Sequence, residues 1–229
     1  MIPYYEDSSV TIYHGDCREI MPTLTADAVI TDPPYGLNLR AKQTRNPGRS
    51  GSHKVNEAST TYDDDPAVIR ALIAEVMPLV FAVADRALIF PGSAMLYAYP
   101  EPAALGTVFN PAGSGYSSWG FQCSQPILYY GKYPSLQDGN GHHPNGFIDR
   151  WSADTGGIDH PCPKPLHWMT WAIAKASREG ETILDPFVGS GTTLVAAKKM
   201  GRKAIGIELS ERYCEIAAGR LNQQVLDFA

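Results

Sequence analysis

The 229-residue sequence contains no run of 18 apolar residues, and its start has neither a basic region nor an apolar one. These absences argue against a membrane span and a secretory signal. The four cysteines form no CxxC pair, so we expect free thiols rather than disulfides. A zinc site drawn from His142, His143, His160 and Cys162 would follow no finger or ribbon spacing. We therefore expect a cytoplasmic protein with no metal and no membrane partner.

Basic residues are few, and the formal net charge of −5 argues mildly against nucleic acid, because phosphate contacts depend on Lys and Arg. Their distribution is uneven, however. Residues 36–54 contain no acidic residue and five basic ones, which are Arg40, Lys42, Arg45, Arg49 and Lys54. This basic segment is either a phosphate-binding loop or a solvated surface loop, and the charge pattern leaves both interpretations open.

Strand and helix patterns alternate along the chain, which is typical of α/β proteins. Strands are expected at 10–13, 27–31, 86–90, 106–109, 125–130, 181–185 and 203–208, and helices at 18–24, 66–83, 192–200 and 210–225. The sequence shows no internal repeat, and its length suits one domain. The stretch 133–163 is rich in Gly, Pro and Asn without periodicity, so we expect a loop there.

A glycine turn follows a predicted strand that ends in Asp185. Gly189 and Gly191 let the backbone pass close to a ligand, and ligands of open α/β sheets bind beyond the carboxyl ends of strands. The GxxxxGK[ST] phosphate-loop spacing is absent, and Leu194 breaks the GxGxxG dinucleotide pattern. Glu208 ends the next strand about twenty residues later, where an acidic side chain can bind ribose hydroxyls. The pattern favours an adenosine-bearing cofactor over a turn without a ligand.

A second strand end carries the tetrad Asp32-Pro33-Pro34-Tyr35, so the tetrad and the glycine turn share one edge of the predicted sheet. The prolines fix φ and lack an N–H group, which leaves the Asp32 carboxylate and nearby carbonyls as acceptors without competing donors. Such a cluster suits an amino group, whose hydrogens it can hold while the nitrogen lone pair faces an electrophile. Tyr35 offers a flat ring on which an extruded base could stack.

These motifs, together with His160-Pro161 and Lys164-Pro165, resemble the amino-methyltransferases of DNA restriction-modification systems and phages. Their order is similar to the permuted β arrangement of that family, in which the catalytic motif precedes the cofactor motif. The resemblance implies a Rossmann-like, doubly wound α/β methyltransferase sheet, mostly parallel with an antiparallel strand. It also implies S-adenosyl-L-methionine as cofactor and double-stranded DNA as partner. The single domain 1–229 would have a catalytic half at about 8–132 and a cofactor half at 160–229.

The resemblance also assigns roles to individual residues. Asp32 and Pro33 would hold the target amino group, with Pro34 in the same catalytic loop, and Tyr35 would stack on the flipped base. The basic segment would contact DNA phosphates. The cofactor contacts would be Asp16 and Cys17 near the adenine ring, Lys164 on the methionine carboxylate, Asp185, Phe187, Gly189 and Gly191 around the pocket, Thr192 and Thr193 at the helix start, and Glu208 on the ribose. Without the resemblance, Lys164 reads as an exposed lysine and Asp16 as a turn residue.

The first residue of the tetrad favours one target base over the other. In this family an initial aspartate is associated mostly with adenine and an initial serine mostly with cytosine, which favours transfer to N6 of adenine. N4 of cytosine, an RNA amine and a non-catalytic accessory role stay open. A catalytic cysteine is not expected, because the only Pro-Cys pair, Pro161-Cys162, lies in the cofactor-side motif.

Few residues of this sequence are left for recognising the target DNA sequence. Larger family members carry a separate recognition domain, and only residues 133–159 could serve that purpose here. We therefore expect a short target sequence, or a homodimer that shares recognition.

Overall fold

The computed structural model describes residues 1–37, 63–111, 113, 116–149 and 164–226. Within these ranges the strands are β1 (Tyr5–Glu6), β2 (Val10–His14), β3 (Ala28–Thr31), β4 (Ala87–Ile89), β5 (Ala104–Phe109), β6 (Tyr116–Ser117), β7 (Gly120–Phe121), β8 (Ser124–Tyr130), β9 (Phe147–Ile148), β10 (Thr182–Asp185) and β11 (Lys203–Glu208). The helices are α1 (Cys17–Ile20), α2 (Pro66–Val83), α3 (Gly92–Met95), α4 (Pro134–Gln137), α5 (Leu166–Ala176), α6 (Thr192–Lys199) and α7 (Glu211–Leu226), with 3₁₀ turns at Met21–Thr23 and Leu96–Ala98.

The described strands build one large sheet in the order β1-β2-β11-β10-β3-β4-β8-β5-β9, and β6 pairs with β7 in a separate ribbon. The run from β2 to β4 is parallel throughout. Antiparallel pairs flank this run, because β1 pairs with β2 on one side and β8 with β4 and β5 on the other. The expected α/β sheet, mostly parallel with antiparallel pairing, is confirmed.

Strands β3 and β10 are neighbours in the sheet although they lie far apart in the chain. Ile183 pairs with Ala28 and Leu184 with Val29, both in parallel register. The two strands therefore point the same way and end at the same edge, β3 at Thr31 and β10 at Asp185. This pairing brings together the tetrad and the glycine turn.

Helices cover both faces of the sheet, and the strands are apolar on both sides as a result. Ala28 and Ile30 of β3 face the core beneath α5, α6 and α7, whereas Val29 faces the core beneath α1 and α2. The alternation is that of an extended strand, whose successive side chains point to opposite faces. A sheet covered in this way leaves its edge at the carboxyl ends of the parallel strands as the place for a ligand.

Helix α2 begins at Pro66, and the Asp65 carboxylate caps it by accepting a hydrogen bond from the Ala67 amide at 2.8 Å. Its buried residues recur every three or four positions: Ile69, Ile73, Val76, Met77, Val80 and Val83. Among the described helices it alone is long and apolar enough to cross a membrane by length and composition, with a mean hydropathy of 1.9. The core helix of a soluble protein passes the same test, and α2 packs against the sheet through the face just described.

Helix α5 occupies a stretch for which the sequence predicts no element. It buries Trp168, Met169, Ala172 and Ile173 against the sheet, yet no side chain caps its first turn at Pro165. The expected loop is also shorter than 133–163, because α4 and β9 lie within its described part, 133–149. Asp149, the last described residue of this segment, contacts α5: its buried carboxylate accepts a hydrogen bond from the Trp168 indole at 2.9 Å.

Candidate active site

A cavity of about 580 Å³ opens at the edge where β3 and β10 end. This volume lies within the roughly 300–1,000 Å³ typical of small-molecule sites. The predicted site residues that line it are Asp16, Cys17, Asp32, Pro33, Pro34, Tyr35, Lys164, Asp185, Phe187, Gly189, Thr192, Thr193 and Glu208. The fold thus brings together residues from both ends of the chain, which the sequence assigns to one site.

The glycine turn is held in place by Glu208. One carboxylate oxygen of Glu208 accepts a hydrogen bond from the Gly189 amide at 2.8 Å, and the other accepts one from the Ser210 amide at 2.9 Å. Burial raises the pKa of Glu208, although these backbone donors favour its charged form. Each oxygen has a second lone pair, so the side chain can still accept hydrogen bonds from ribose hydroxyls.

Gly191 packs the turn closely against α7. It has a φ of 82° and precedes α6, and a Cβ atom at this position would lie 2.7 Å from the Ala217 Cβ of α7. Arg220 of the same helix adds a contact that the sequence does not predict. Its guanidinium donates hydrogen bonds to the Ser190 carbonyl at 2.5 Å and to the Thr192 hydroxyl at 3.0 Å. Helix α7 therefore fixes the position of the turn and of the first residue of α6.

Asp185 links the two strands at their ends. Its carboxylate accepts hydrogen bonds from the Thr31 hydroxyl at 2.6 Å and from the Phe187 amide at 3.0 Å. Burial raises the pKa of Asp185 from its ordinary value of 3.8 to about 6, against the opposing effect of hydrogen bonds from Thr193, Thr31 and Phe187. The side chain is 1% exposed, so its main contacts are to the protein framework rather than to the cavity.

The raised pKa of Asp185 predicts a pH dependence of stability. Because the folded state binds this proton more tightly than the unfolded state, the contribution is full below pH 3.8 and is lost as the pH rises through about 6. The difference between these two pKa values corresponds to about 3 kcal/mol of folding free energy. In Asp185→Asn, which cannot titrate, we expect the free energy of unfolding relative to wild type to rise by up to about 3 kcal/mol between about pH 4 and pH 7.

Urea unfolding of both proteins across this pH range measures the effect. Parallel stability curves for wild type and Asp185→Asn would contradict the assignment. Thr31→Val is a matched control, because it removes one donor that favours the charged carboxylate. This variant should move the loss of stability to higher pH.

Asp16 and Cys17 lie at the start of α1, at another part of the cavity wall. The Asp16 carboxylate caps the helix by accepting a hydrogen bond from the Arg18 amide at 2.9 Å, and it forms an ion pair with the Arg18 guanidinium at 2.5 Å. A second ion pair joins Arg18 to Glu75 of α2 at 2.6 Å. Burial raises the pKa of the Cys17 thiol to about 12, which keeps it neutral and makes it a poor nucleophile.

Asp32, Tyr35 and Lys164 form a connected cluster at the tetrad. The Tyr35 hydroxyl donates a hydrogen bond to the Asp32 carboxylate. The Lys164 ammonium donates to the Tyr35 oxygen at 2.5 Å and lies 3.0 Å from the second Asp32 oxygen. Lys164, which the family resemblance assigns to the cofactor carboxylate, thus contacts the tetrad in this structure.

The Tyr35 ring is positioned by Gly92, a residue that the sequence does not select. Gly92 follows β4 and has a φ of 62°. A Cβ atom here would lie 2.6 Å from Cδ1 of Tyr35, so only a glycine allows the ring its place. The sequence signal for this contact was the Pro91-Gly92 pair after a strand, which predicts a turn but not its neighbour.

Several predicted residues lie outside the described ranges. They are all five basic residues of the basic segment (Arg40, Lys42, Arg45, Arg49 and Lys54), the His160-Pro161 pair and Cys162. The predicted phosphate contacts therefore stay predictions.

Comparison with known proteins identifies relatives along most of the chain. The DNA methylase family matches residues 100–219, which is more than half of the sequence. The type II methyltransferase M.ScaI of Streptomyces caespitosus is 26% identical over 259 positions, covering 97% of this chain and 84% of that protein.

Two solved structures share the fold. The M1.HpyAVI–SAM complex superposes with a TM-score of 0.64 at 23% identity, covering 93% of this chain and 99% of that one. The PvuII DNA methyltransferase, a cytosine-N4-specific enzyme, gives a TM-score of 0.67 at 17% identity, covering 95% of this chain and 88% of that one.

Proposed function

Because the chain belongs to the DNA methylase family of amino-methyltransferases, we propose that it transfers a methyl group to N6 of adenine in double-stranded DNA. The observation that carries this proposal is the position of the tetrad beside the glycine turn, on adjacent strands that end at one cavity. An initial aspartate in the tetrad supports adenine as the base. The whole chain would act as one methyltransferase domain.

The cavity fits S-adenosylmethionine. Its volume suits a nucleoside cofactor, and Glu208 and the turn at Gly189 offer the acceptors and the close backbone approach that a ribose requires. Phe187 and the residues at the start of α1 would enclose the adenine ring. Thr192 and Thr193 would lie near the methionine part. When bound, the cofactor supplies the methyl group on a sulfonium, an electrophile that an amine can attack directly.

The residues of the tetrad would position and polarise the amine. Asp32 and the Pro33 carbonyl would accept its hydrogens, so that the nitrogen lone pair points away from them. The Asp32 carboxylate would also stabilise the positive charge that develops on nitrogen, in a site where the acceptors are already oriented. Tyr35 would stack on the extruded base. Holding two reactants in line accounts for much of the rate gain in such displacements, so no covalent enzyme intermediate is needed.

The DNA would be held beyond the cavity. We assign its phosphate contacts to the basic segment, because this segment begins directly after the tetrad. Residues 133–159 would recognise a short target sequence, or recognition would be shared within a homodimer. We propose a place in a restriction-modification system, because M.ScaI is a type II methyltransferase, and a cytoplasmic location.

N4 of cytosine is the second candidate target, because the cytosine-N4-specific PvuII enzyme shares the fold. One experiment separates the candidates. The protein is incubated with radiolabelled S-adenosylmethionine and with DNA, RNA or protein, and the products are digested to nucleosides or amino acids. We expect label in N6-methyladenine of DNA. Label in N4-methylcytosine would show that cytosine, not adenine, is the target base. Label confined to RNA or protein would overturn the DNA assignment.

A further inference from the structure

The two side chains proposed to receive the base are already occupied in this structure. One Asp32 oxygen accepts a hydrogen bond from the Tyr35 hydroxyl, and the other is paired with the Lys164 ammonium at 3.0 Å. Lys164 also donates to the Tyr35 oxygen at 2.5 Å. Its side chain is 8% exposed, so water competes little for these contacts. The ammonium thus ties together both groups of the tetrad.

An exocyclic amine and an ammonium are both hydrogen-bond donors, and they compete for the same acceptors. While the ammonium stays on Asp32, its positive charge makes the carboxylate a weaker acceptor for an amine and a weaker counter-ion for the charge that develops on it. Removing a partner from a largely buried ion pair is unfavourable unless the released charge finds another partner. Opening the tetrad therefore requires a second anion within reach of Lys164.

The lining of the cavity shows which positively charged side chain such an anion could bind. Among the described residues that line it, the lysines and arginines are Arg18 and Lys164. Arg18 is held by two carboxylates, those of Asp16 and Glu75. Among the described residues Lys164 has one carboxylate partner, and its flexible stem lets the ammonium turn between neighbouring anions.

We propose that Lys164 couples the two substrates of the reaction. With its ammonium on Asp32 it closes the tetrad, and an α-amino-acid carboxylate entering the cavity draws the ammonium away. Cofactor binding thus opens the acceptors before the base arrives, which makes Lys164 a positioning residue that acts through Asp32. This inference rests on the proposed function, because it takes the cofactor's methionine carboxylate as the competing anion.

The coupling predicts an unusual effect of Asp32 on cofactor affinity. Since Asp32 and the cofactor carboxylate compete for Lys164, Asp32→Asn should tighten binding of S-adenosylhomocysteine by about tenfold, near the lower end of couplings between sites. Binding of 5′-methylthioadenosine, which lacks the amino-acid part, should be unchanged. Lys164→Met should weaken binding of S-adenosylhomocysteine. When Lys164 is methionine, the Asp32→Asn change should have no further effect.

Titration calorimetry without nucleic acid measures these affinities, so the result does not depend on which base or polymer is methylated. Asp7→Asn is a matched control, because Asp7 forms a comparable ion pair with Lys198 at 2.5 Å outside the cavity lining. It should leave both affinities unchanged. Unchanged or weaker S-adenosylhomocysteine binding in Asp32→Asn would overturn the proposal, as would equal tightening of both ligands. If the single variant at Asp32 fails to fold, an unchanged affinity in Lys164→Met alone still overturns it.

Discussion

Asp32→Asn is expected to lower the rate of methyl transfer by about 10²- to 10³-fold, the usual effect of removing one oriented polar group that stabilises developing charge. The variant keeps the shape of the side chain but replaces an acceptor oxygen by an NH₂ group and removes the negative charge. The NH₂ group would face the hydrogens of the target amine, and the charge that develops on nitrogen would lose its counter-ion. S-adenosylmethionine binding should be retained at least at the wild-type strength.

Single-turnover kinetics with radiolabelled cofactor separates these effects, because it reports the chemical step of the bound complex. Asp32→Ala should lose transfer as well, since it removes both oxygens. Asp7→Asn again serves as the control for a change of net charge and should transfer at the wild-type rate. A variant at Asp32 that loses cofactor binding but transfers normally once saturated would show that Asp32 belongs to the cofactor side of the site.

The strand pattern and the two motifs were predictable because they depend on local sequence. Buried strands such as β3 and β10 are short apolar runs. Asp32 follows β3 directly, and β10 ends in Asp185, after which the glycine turn begins. The parallel sheet then places consecutive strand ends at one edge, which joins the tetrad to the turn without knowledge of side-chain contacts. The family resemblance supplied the order of the two motifs along the chain.

The contacts that bridge distant segments were not predictable in the same way. Lys164 and Tyr35 are 129 positions apart, and nothing in either segment shows that the ammonium reaches the tetrad. The placement of Arg220 beneath the turn likewise depends on how α7 packs. Gly92 carries a turn signal, but its contact with Tyr35 arises only when β4 lies next to β3.

The helix and strands that the sequence does not predict were missed for a physical reason as well. Helix α5 begins after Pro165, whose side chain cannot cap it, so it lacks the signal that marks most helix starts. Strands β1 and β9 contain two residues each, which is too short for an alternating pattern. They exist because neighbouring strands offer free backbone groups for pairing, a property of the assembled sheet rather than of their own sequence.

Gly191→Ala is expected to lower the free energy of unfolding by about 2–5 kcal/mol and to weaken cofactor binding. A φ of 82° costs a residue with a Cβ atom about 1–2 kcal/mol. The added methyl group would lie 2.7 Å from the Ala217 Cβ, and such overpacking costs about a further 1–3 kcal/mol. Relief of the clash requires α6 and α7 to separate, which moves the turn that Glu208 and Arg220 hold against the cavity.

Gly180→Ala separates the backbone strain from the overpacking, because Gly180 has a φ of 78° but no atom lies within 4 Å of the added Cβ. This control should lose only about 1–2 kcal/mol, the backbone part of the effect, and should bind cofactor normally. Ala217→Gly should restore part of the stability lost in Gly191→Ala, because it removes the closest atom. Urea unfolding and titration calorimetry measure both effects. If Gly191→Ala were no worse than Gly180→Ala in either measurement, the packing of α7 against the turn would not be what positions the cofactor.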